Sequence, residues 1–237
     1  MKPVLMLLPG LMCDAAVWAP QVAHLSAHAQ CVVVDYALRD SLEAMARQVL
    51  ASTDAPCFAL AGHSMGGRVA LEVMRLAPGR VARLALLDTG THPLAAGEAG
   101  ARERAARLAL LQLARDQGMR AMGQQWLAGM VHPDVVGSAL FESMLDMLER
   151  SSPAQFGAQI NALLTRPDAA PLLPGIACPT LVLTGEQDVW SPPKQHAAMA
   201  QAIAGAYLRI VPHSGHMSTL EQPQAVAQAM QQWLLDA

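Results

Sequence analysis

Six short, nearly continuous apolar runs punctuate the chain: VLMLL (4–8), CVVVDY (31–36), CFALAG (57–62), LALLD (84–88), TLVLTG (180–185) and YLRIV (207–211). Unbroken hydrophobicity of this kind marks strands of a parallel sheet, whose two faces are both covered by helices. Between the runs, apolar residues recur at helical spacing. Residues 14–28 open at Asp14, a suitable N-cap, and continue through Val17 and Trp18; residues 41–52 open at Ser41. Residues 65–77 carry Val69, Leu71, Val73 and Met74 before Pro78-Gly79 stops the helix. Pro192-Pro193 suits the first turn of a helix over 193–204. Ser218-Thr219-Leu220-Glu221 has capping-box spacing and predicts the start of the last helix, through Trp233. Strand alternating with helix predicts an α/β fold built on a mostly parallel, doubly wound sheet.

One segment breaks the alternation. From Thr91 to Thr165 no run is strand-like, and helical pattern fills 101–115, 118–130, 138–150 and 153–165. A helical insertion between two strands predicts a cap over the sheet edge. The chain then divides into a core of residues 1–91 and 166–237 and a cap of residues 92–165. Met119, Met122, Met130, Met144 and Met147 fall in the cap and read first as packing, although thioethers also suit an apolar pocket wall. Trp126 and Phe141 are candidates to join that wall and touch substrate.

The junction FALAGHSMGGRVALEVM (58–74) brings in chemistry. Ligands gather at the carboxyl ends of parallel strands. There Gly62-His63-Ser64-Met65-Gly66 has the G-x-S-x-G pattern that sets a serine on a sharp strand-to-helix turn. Side chains at Gly62 and Gly66 would collide with so tight a turn. The dipole of the following helix favours negative charge developing beside Ser64. A serine hydroxyl is a weak nucleophile and needs a base, itself oriented by a carboxylate. For a nucleophile on such a turn the chain order is Ser, then Asp or Glu, then His. Asp188 lies just past the strand 180–185 and His216 just past 207–211, so the candidate triad is Ser64, Asp188 and His216. The backbone N–H of Met65 and one from the loop after the first strand would bind an oxyanion. In that loop Leu11 is the first choice and Met12 the alternative.

Composition narrows the partners. A length of 237 residues with 53% hydrophobic content suits one domain with an inserted subdomain. A net charge of −3 with 16 scattered basic residues gives no stripe for nucleic acid. Cys13, Cys31, Cys57 and Cys178 show no metal spacing; Cys31 and Cys57 begin apolar runs and read as small buried hydrophobes in a reducing compartment. The N-terminal apolar run is too short for a signal peptide, and no run approaches the ~18 apolar residues of a membrane span. A cytoplasmic protein is expected, with a small-molecule substrate, no metal, no cofactor, and neither nucleic acid nor membrane as partner.

Four stretches together, LLPGLMCDAAVW, GHSMGG, PTLVLTGEQD and SGHMSTLEQP, resemble the α/β-hydrolase superfamily in its small capped branch, over nearly the whole chain. That branch includes carboxylesterases, enol-lactonases, the pimeloyl-carrier methyl ester esterase of biotin synthesis and a menaquinone-pathway lyase. The resemblance implies a serine hydrolase that cleaves a small carboxylic ester or lactone through an acyl-enzyme. The same triad would serve a thioesterase, a C–C bond hydrolase or a lyase. A non-catalytic ligand-binding member has no need to keep all three residues. Two departures matter. Relatives usually have His-Gly where this chain has Pro9-Gly10, and they usually carry a β-hairpin before the strand that here begins at Val4. About six strands are therefore expected in place of the usual ~8. The run 31–36 is left at an edge, to be shielded or used in a homo-oligomer.

Other residues invite weighing. Asp88 ends LALLD and is a rival acid, but Asp188 follows the penultimate strand, the usual position. His63 and His213 flank the active residues. Arg68 follows the elbow; SMGGR is also seen in the menaquinone-pathway lyase, which makes Arg68 a candidate carboxylate anchor beside a structural or surface role. His132, Arg102, Arg104, Arg107 and Arg115 read as a solvated face.

Overall fold

A computed structural model describes residues 2–236. Strands β1 (Val4–Leu8), β2 (Gln30–Val33), β3 (Phe58–His63), β4 (Val81–Leu87), β5 (Thr180–Gly185) and β6 (Tyr207–Val211) form one parallel sheet, ordered β2-β1-β3-β4-β5-β6. Every residue of β3 and β5 is buried, as their unbroken apolar runs require. Leu60 pairs with Met6 on one side and Leu84 on the other, at the centre of the sheet.

The helices are α1 (Ala19–Leu25), α2 (Leu42–Ala51), α3 (Met65–Leu76), α4 (Gly97–Gln117), α5 (Met119–Leu127), α6 (Ala139–Glu149), α7 (Pro153–Leu164), α8 (Pro193–Ala202), α9 (Ser218–Glu221) and α10 (Pro223–Leu235). Parallel crossovers are right-handed, so the direction of travel across the sheet fixes the face each helix covers. From β1 the chain moves outward to β2, which puts α1 on one face. It then travels the other way, which puts α2, α3 and α8 on the opposite face. α10 follows β6 and packs against α1, closing the first face. Four helices, α4 to α7, occupy the interval between β4 and β5, close to the spans that periodicity predicts. Ser138 and Ser152 cap α6 and α7, accepting from the Phe141 and Gln155 amides. No helix among the described residues is long and apolar enough to cross a membrane.

Three local expectations are corrected. Ser218 is not a cap: its Oγ donates to Asp88 Oδ2 at 2.5 Å, while Glu221 accepts from the Gly215 and Met217 amides, and Pro223 begins a separate helix. Both side chains are spent on contacts across the fold. Strand β2 ends at Val33, although the Val34 amide still donates to the Leu7 carbonyl at 3.0 Å; beyond it Tyr36 is buried, and its hydroxyl donates to the Pro9 carbonyl at 3.3 Å. Cys57 is exposed, one residue outside β3, where its thiol meets the Gly79 carbonyl.

Leu60 is fully buried, so Leu60→Ala leaves a cavity at the sheet centre and should destabilise the protein by about 2–5 kcal/mol. Chemical denaturation of the two proteins measures this directly.

Candidate active site

Ser64 joins β3 to α3 with φ 53° and ψ −116°. A non-glycine residue in such a conformation carries strain of about 1–3 kcal/mol. Close approach on both sides imposes it. A Cβ at Gly66 would lie 2.0 Å from the Leu8 carbonyl oxygen, and one at Gly62 would lie 2.3 Å from the Gly66 carbonyl oxygen. The Ser64 N–H donates to the Leu87 carbonyl at 2.8 Å, and Thr89 Oγ1 donates to the Ser64 carbonyl at 2.7 Å. At the Pro9-Gly10 departure, a Cβ on Gly10 would meet His63 Nδ1 at 2.8 Å, so the glycine is what this loop needs.

The structure brings Ser64, His216 and Asp188 together. His216 Nε2 lies 2.7 Å from Ser64 Oγ, and Nδ1 lies 2.8 Å from Asp188 Oδ2. The other Asp188 oxygen accepts from the Trp190 and Ser191 amides at 2.8 and 2.9 Å. A carboxylate accepts only, so the network assigns the proton to Nδ1 and leaves Nε2 to accept from the hydroxyl. Burial works to raise the Asp188 carboxyl, but the His216 ring and those amides outweigh it and hold the group below the usual carboxylate range.

A buried polar layer positions His216 from beneath. Its amide donates to the Met130 carbonyl at 2.6 Å, and its carbonyl accepts from His63 Nε2 at 2.8 Å. Glu221 accepts from the Gly215, Met217 and His132 amides, fixing the loop around it. Asp88 makes no hydrogen bond to His216. It accepts from the Gly185 amide and Ser218 instead, and burial, followed by the Asp188 charge, pushes its carboxyl well above the usual range.

Leu11 and Met65 line the cavity beside Ser64, and neither amide has a hydrogen-bond acceptor among the described residues. The Met12 amide is engaged, donating to Gln159 Oε1 at 2.8 Å. The cavity has a volume of about 490 Å³, and Ser64 and His216 project into it. Its lining includes the apolar Trp126, Met130, Phe156 and Ile160 and the charged Arg68, Arg107, Arg166 and Glu103.

Trp126 therefore joins the wall and Phe141 does not: it is buried on α6, no residue of which lines the cavity. Arg107 is not on a solvated face, because its Nε pairs with Glu103 at 2.9 Å beside the cavity, and His132 is also largely covered. Arg102, Arg104 and Arg115 are exposed. His63 lies beneath the site, and His213 turns to the His132 ring; neither lines the cavity. Arg166 and Trp190 also line the cavity, and no motif in the sequence marks them. Trp190 sits edge-on to Trp126 at 6.4 Å and donates to the Gly129 carbonyl at 3.0 Å; an aromatic just past the acid was its only signal. Among the described residues, no group of three or more His, Cys, Asp or Glu side chains is arranged to hold a metal ion.

A sequence profile described as the alpha/beta hydrolase family matches residues 5–229. The chain belongs to this family. Among the relatives of this chain, the (E)-2-((N-methylformamido)methylene)succinate hydrolase of Acinetobacter baylyi is 27% identical, over 97% of this chain and 89% of that protein. The 2-succinyl-6-hydroxy-2,4-cyclohexadiene-1-carboxylate synthase of Serratia proteamaculans is 28% identical, over 92% of this chain and 84% of that one. The structure of a thermophilic esterase from Thermogutta terrifontis with malate bound has a TM-score of 0.85 at 27% identity, covering 98% of this chain and 90% of its own.

Beneath the site, His196 is fully buried and its Nε2 accepts from the Thr89 amide at 3.0 Å. Burial, only partly offset by the Pro192 carbonyl, pushes its pKa down to about 4. The unfolded chain therefore takes up this proton near pH 6.5 while the native protein does not. The stabilising share of the neutral ring is complete above pH 6.5 and fades as pH falls towards 4, by about 1.4 kcal/mol per pH unit. Denaturation of wild type and His196→Gln across pH 4.5–7.5 should show their stability difference shrinking with acidification.

Proposed function

We propose that this family member is a serine hydrolase that cleaves a small carboxylic ester or lactone through an acyl-enzyme. The observation that carries the reading is the hydrogen-bonded line from Ser64 Oγ through His216 to Asp188, with steps of 2.7 and 2.8 Å. His216 Nε2 takes the Ser64 proton as Oγ attacks the ester carbonyl. Asp188 holds the imidazole tautomer and stabilises the imidazolium. The carbonyl oxygen becomes an oxyanion against the Leu11 and Met65 amides, at the N-terminus of α3. His216 then hands its proton to the leaving alkoxide. A water activated by the same nitrogen splits the acyl-enzyme, which returns Ser64 to its hydroxyl. Residues 92–165 act as a cap over a core of residues 1–91 and 166–237, supplying substrate contacts and excluding bulk water. Three cap helices, α4, α5 and α7, contribute to the cavity wall, which supports this role.

A second reading is a lyase or C–C bond hydrolase, in which Ser64 and His216 act mainly in proton transfer. The likeness to the Serratia synthase favours it. Hydrolysis of p-nitrophenyl acetate and butyrate separates the two. Wild type should turn both over, and Ser64→Ala should lose about 10⁴-fold or more in kcat. Wild type inactive on both esters, or Ser64→Ala as active as wild type, contradicts the ester-hydrolase reading.

A further inference from the structure

The turn that carries the Leu11 amide is held from α7. The Cys13 amide donates to the Gly10 carbonyl at 3.1 Å, which closes a four-residue turn with Leu11 and Met12 at its centre. Of these two only Met12 has a positive φ, 65°, the pattern of a type II turn. That position favours glycine or asparagine, and a methionine stays there only where its surroundings hold it. The commoner type I turn would put the same residue near a φ of about −90°. The two turns differ by a flip of the peptide between Leu11 and Met12.

The hold comes from Gln159, 147 residues further along the chain. This side chain is buried on α7, and its Oε1 accepts from the Met12 amide at 2.8 Å. An N–H donor requires an acceptor, which assigns Oε1 and not Nε2 to the contact. The Met12 amide belongs to the peptide whose orientation separates the two turns. Flipping it would take the hydrogen away from Oε1 and leave a buried pair unmade, which is costly. The other fastenings lie at the ends of the loop. The Tyr36 hydroxyl donates to the Pro9 carbonyl at 3.3 Å, and Arg150 Nε to Asp14 Oδ2 at 2.6 Å.

This turn runs against the nucleophile. A Cβ on Gly10 would come 3.3 Å from Ser64 Cβ, and Leu11 lines the cavity. The Leu11 amide adjoins the peptide that Gln159 holds, so the plane of that peptide limits where the amide can point. Gln159 itself does not line the cavity, whereas Phe156, Ile160 and Leu163 of the same helix do.

We infer that Gln159 is a positioning residue: it clasps the Leu11–Met12 peptide in the left-handed turn that presents the Leu11 amide to the oxyanion. The inference rests on the proposed hydrolysis with Leu11 as a donor, and it adds a residue that acts through the loop without touching substrate.

Two measurements test it, one with turnover and one without. An oxyanion donor acts in the transition state. In Gln159→Leu, kcat for p-nitrophenyl butyrate should therefore fall about tenfold or more while KM stays within about twofold. Met12→Gly gives the turn its preferred residue, so Gln159→Leu should cost severalfold less in kcat in that background than in wild type. Amide hydrogen exchange followed by NMR should speed up about tenfold or more at Met12 in Gln159→Leu, beyond any change at Leu60 in the sheet centre. Should Gln159→Leu not fold, Gln159→Asn, one methylene too short to reach, should move kcat and Met12 exchange in the same direction. Unchanged kcat, a loss carried by KM alone, an equal loss in the Met12→Gly background, or Met12 exchange that shifts no more than Leu60 overturns the inference. Faster Met12 exchange in the variant of a protein that hydrolyses no ester upholds the hold on the turn and places the failure in the hydrolase reading.

Discussion

The close approach of β3 and α3 at Ser64 is the constraint on which the site depends. The backbone can turn at φ 53° only because Gly62 and Gly66 present hydrogen where any side chain would strike a carbonyl. Gly67 extends the same packing, since a Cβ there would fall 2.6 Å from the Thr89 methyl. With the helix starting so abruptly, the Met65 amide has no intrahelical acceptor. The hydroxyl stands clear of the sheet, at the start of α3. One local conformation thus fixes the Ser64 hydroxyl relative to the start of α3.

The other half of the site comes from loops after β5 and β6, where close approach recurs: a Cβ at Gly185 would lie 2.1 Å from the Gly215 carbonyl oxygen, and one at Gly215 would lie 2.4 Å from the Met130 carbonyl oxygen. Buried polar contacts hold these loops as well. Glu221 gathers the Gly215, Met217 and His132 amides, and His63 supports the His216 carbonyl. Asp88 ties the end of β5, through the Gly185 amide, to Ser218. Unsatisfied groups at this depth are expensive, so each loop has few alternatives to its observed path. The positioning of His216 is shared across β4, β5 and the final helices.

Much of this was legible in the chain. Unbroken apolar runs marked all six strands, and helical spacing marked α4 to α7, because both patterns report which faces are covered. Ser64, Asp188 and His216 were legible because each follows a strand, and strand ends of a parallel sheet share one edge. What failed depended on contacts distant in sequence. Ser218 and Glu221 have capping spacing but answer Asp88 and the His216 loop. Arg107 looks like its exposed neighbours Arg102 and Arg104 until α7 and Arg166 close against Glu103. Phe141 and Trp126 were equivalent as sequence, yet Phe141 is buried on α6 away from the cavity while Trp126 on α5 lines it. That the Met12 amide is engaged was not legible either, because its acceptor, Gln159, lies far along the chain.

The central claim is that Ser64 is a nucleophile activated by His216. Intact-protein mass spectrometry after exposure to a fluorophosphonate, with the adduct mapped by peptide fragmentation, tests it most directly. The account predicts one phosphonyl group per chain, on Ser64, and none in Ser64→Ala. An unlabelled wild-type protein, or a label on any other residue, contradicts it.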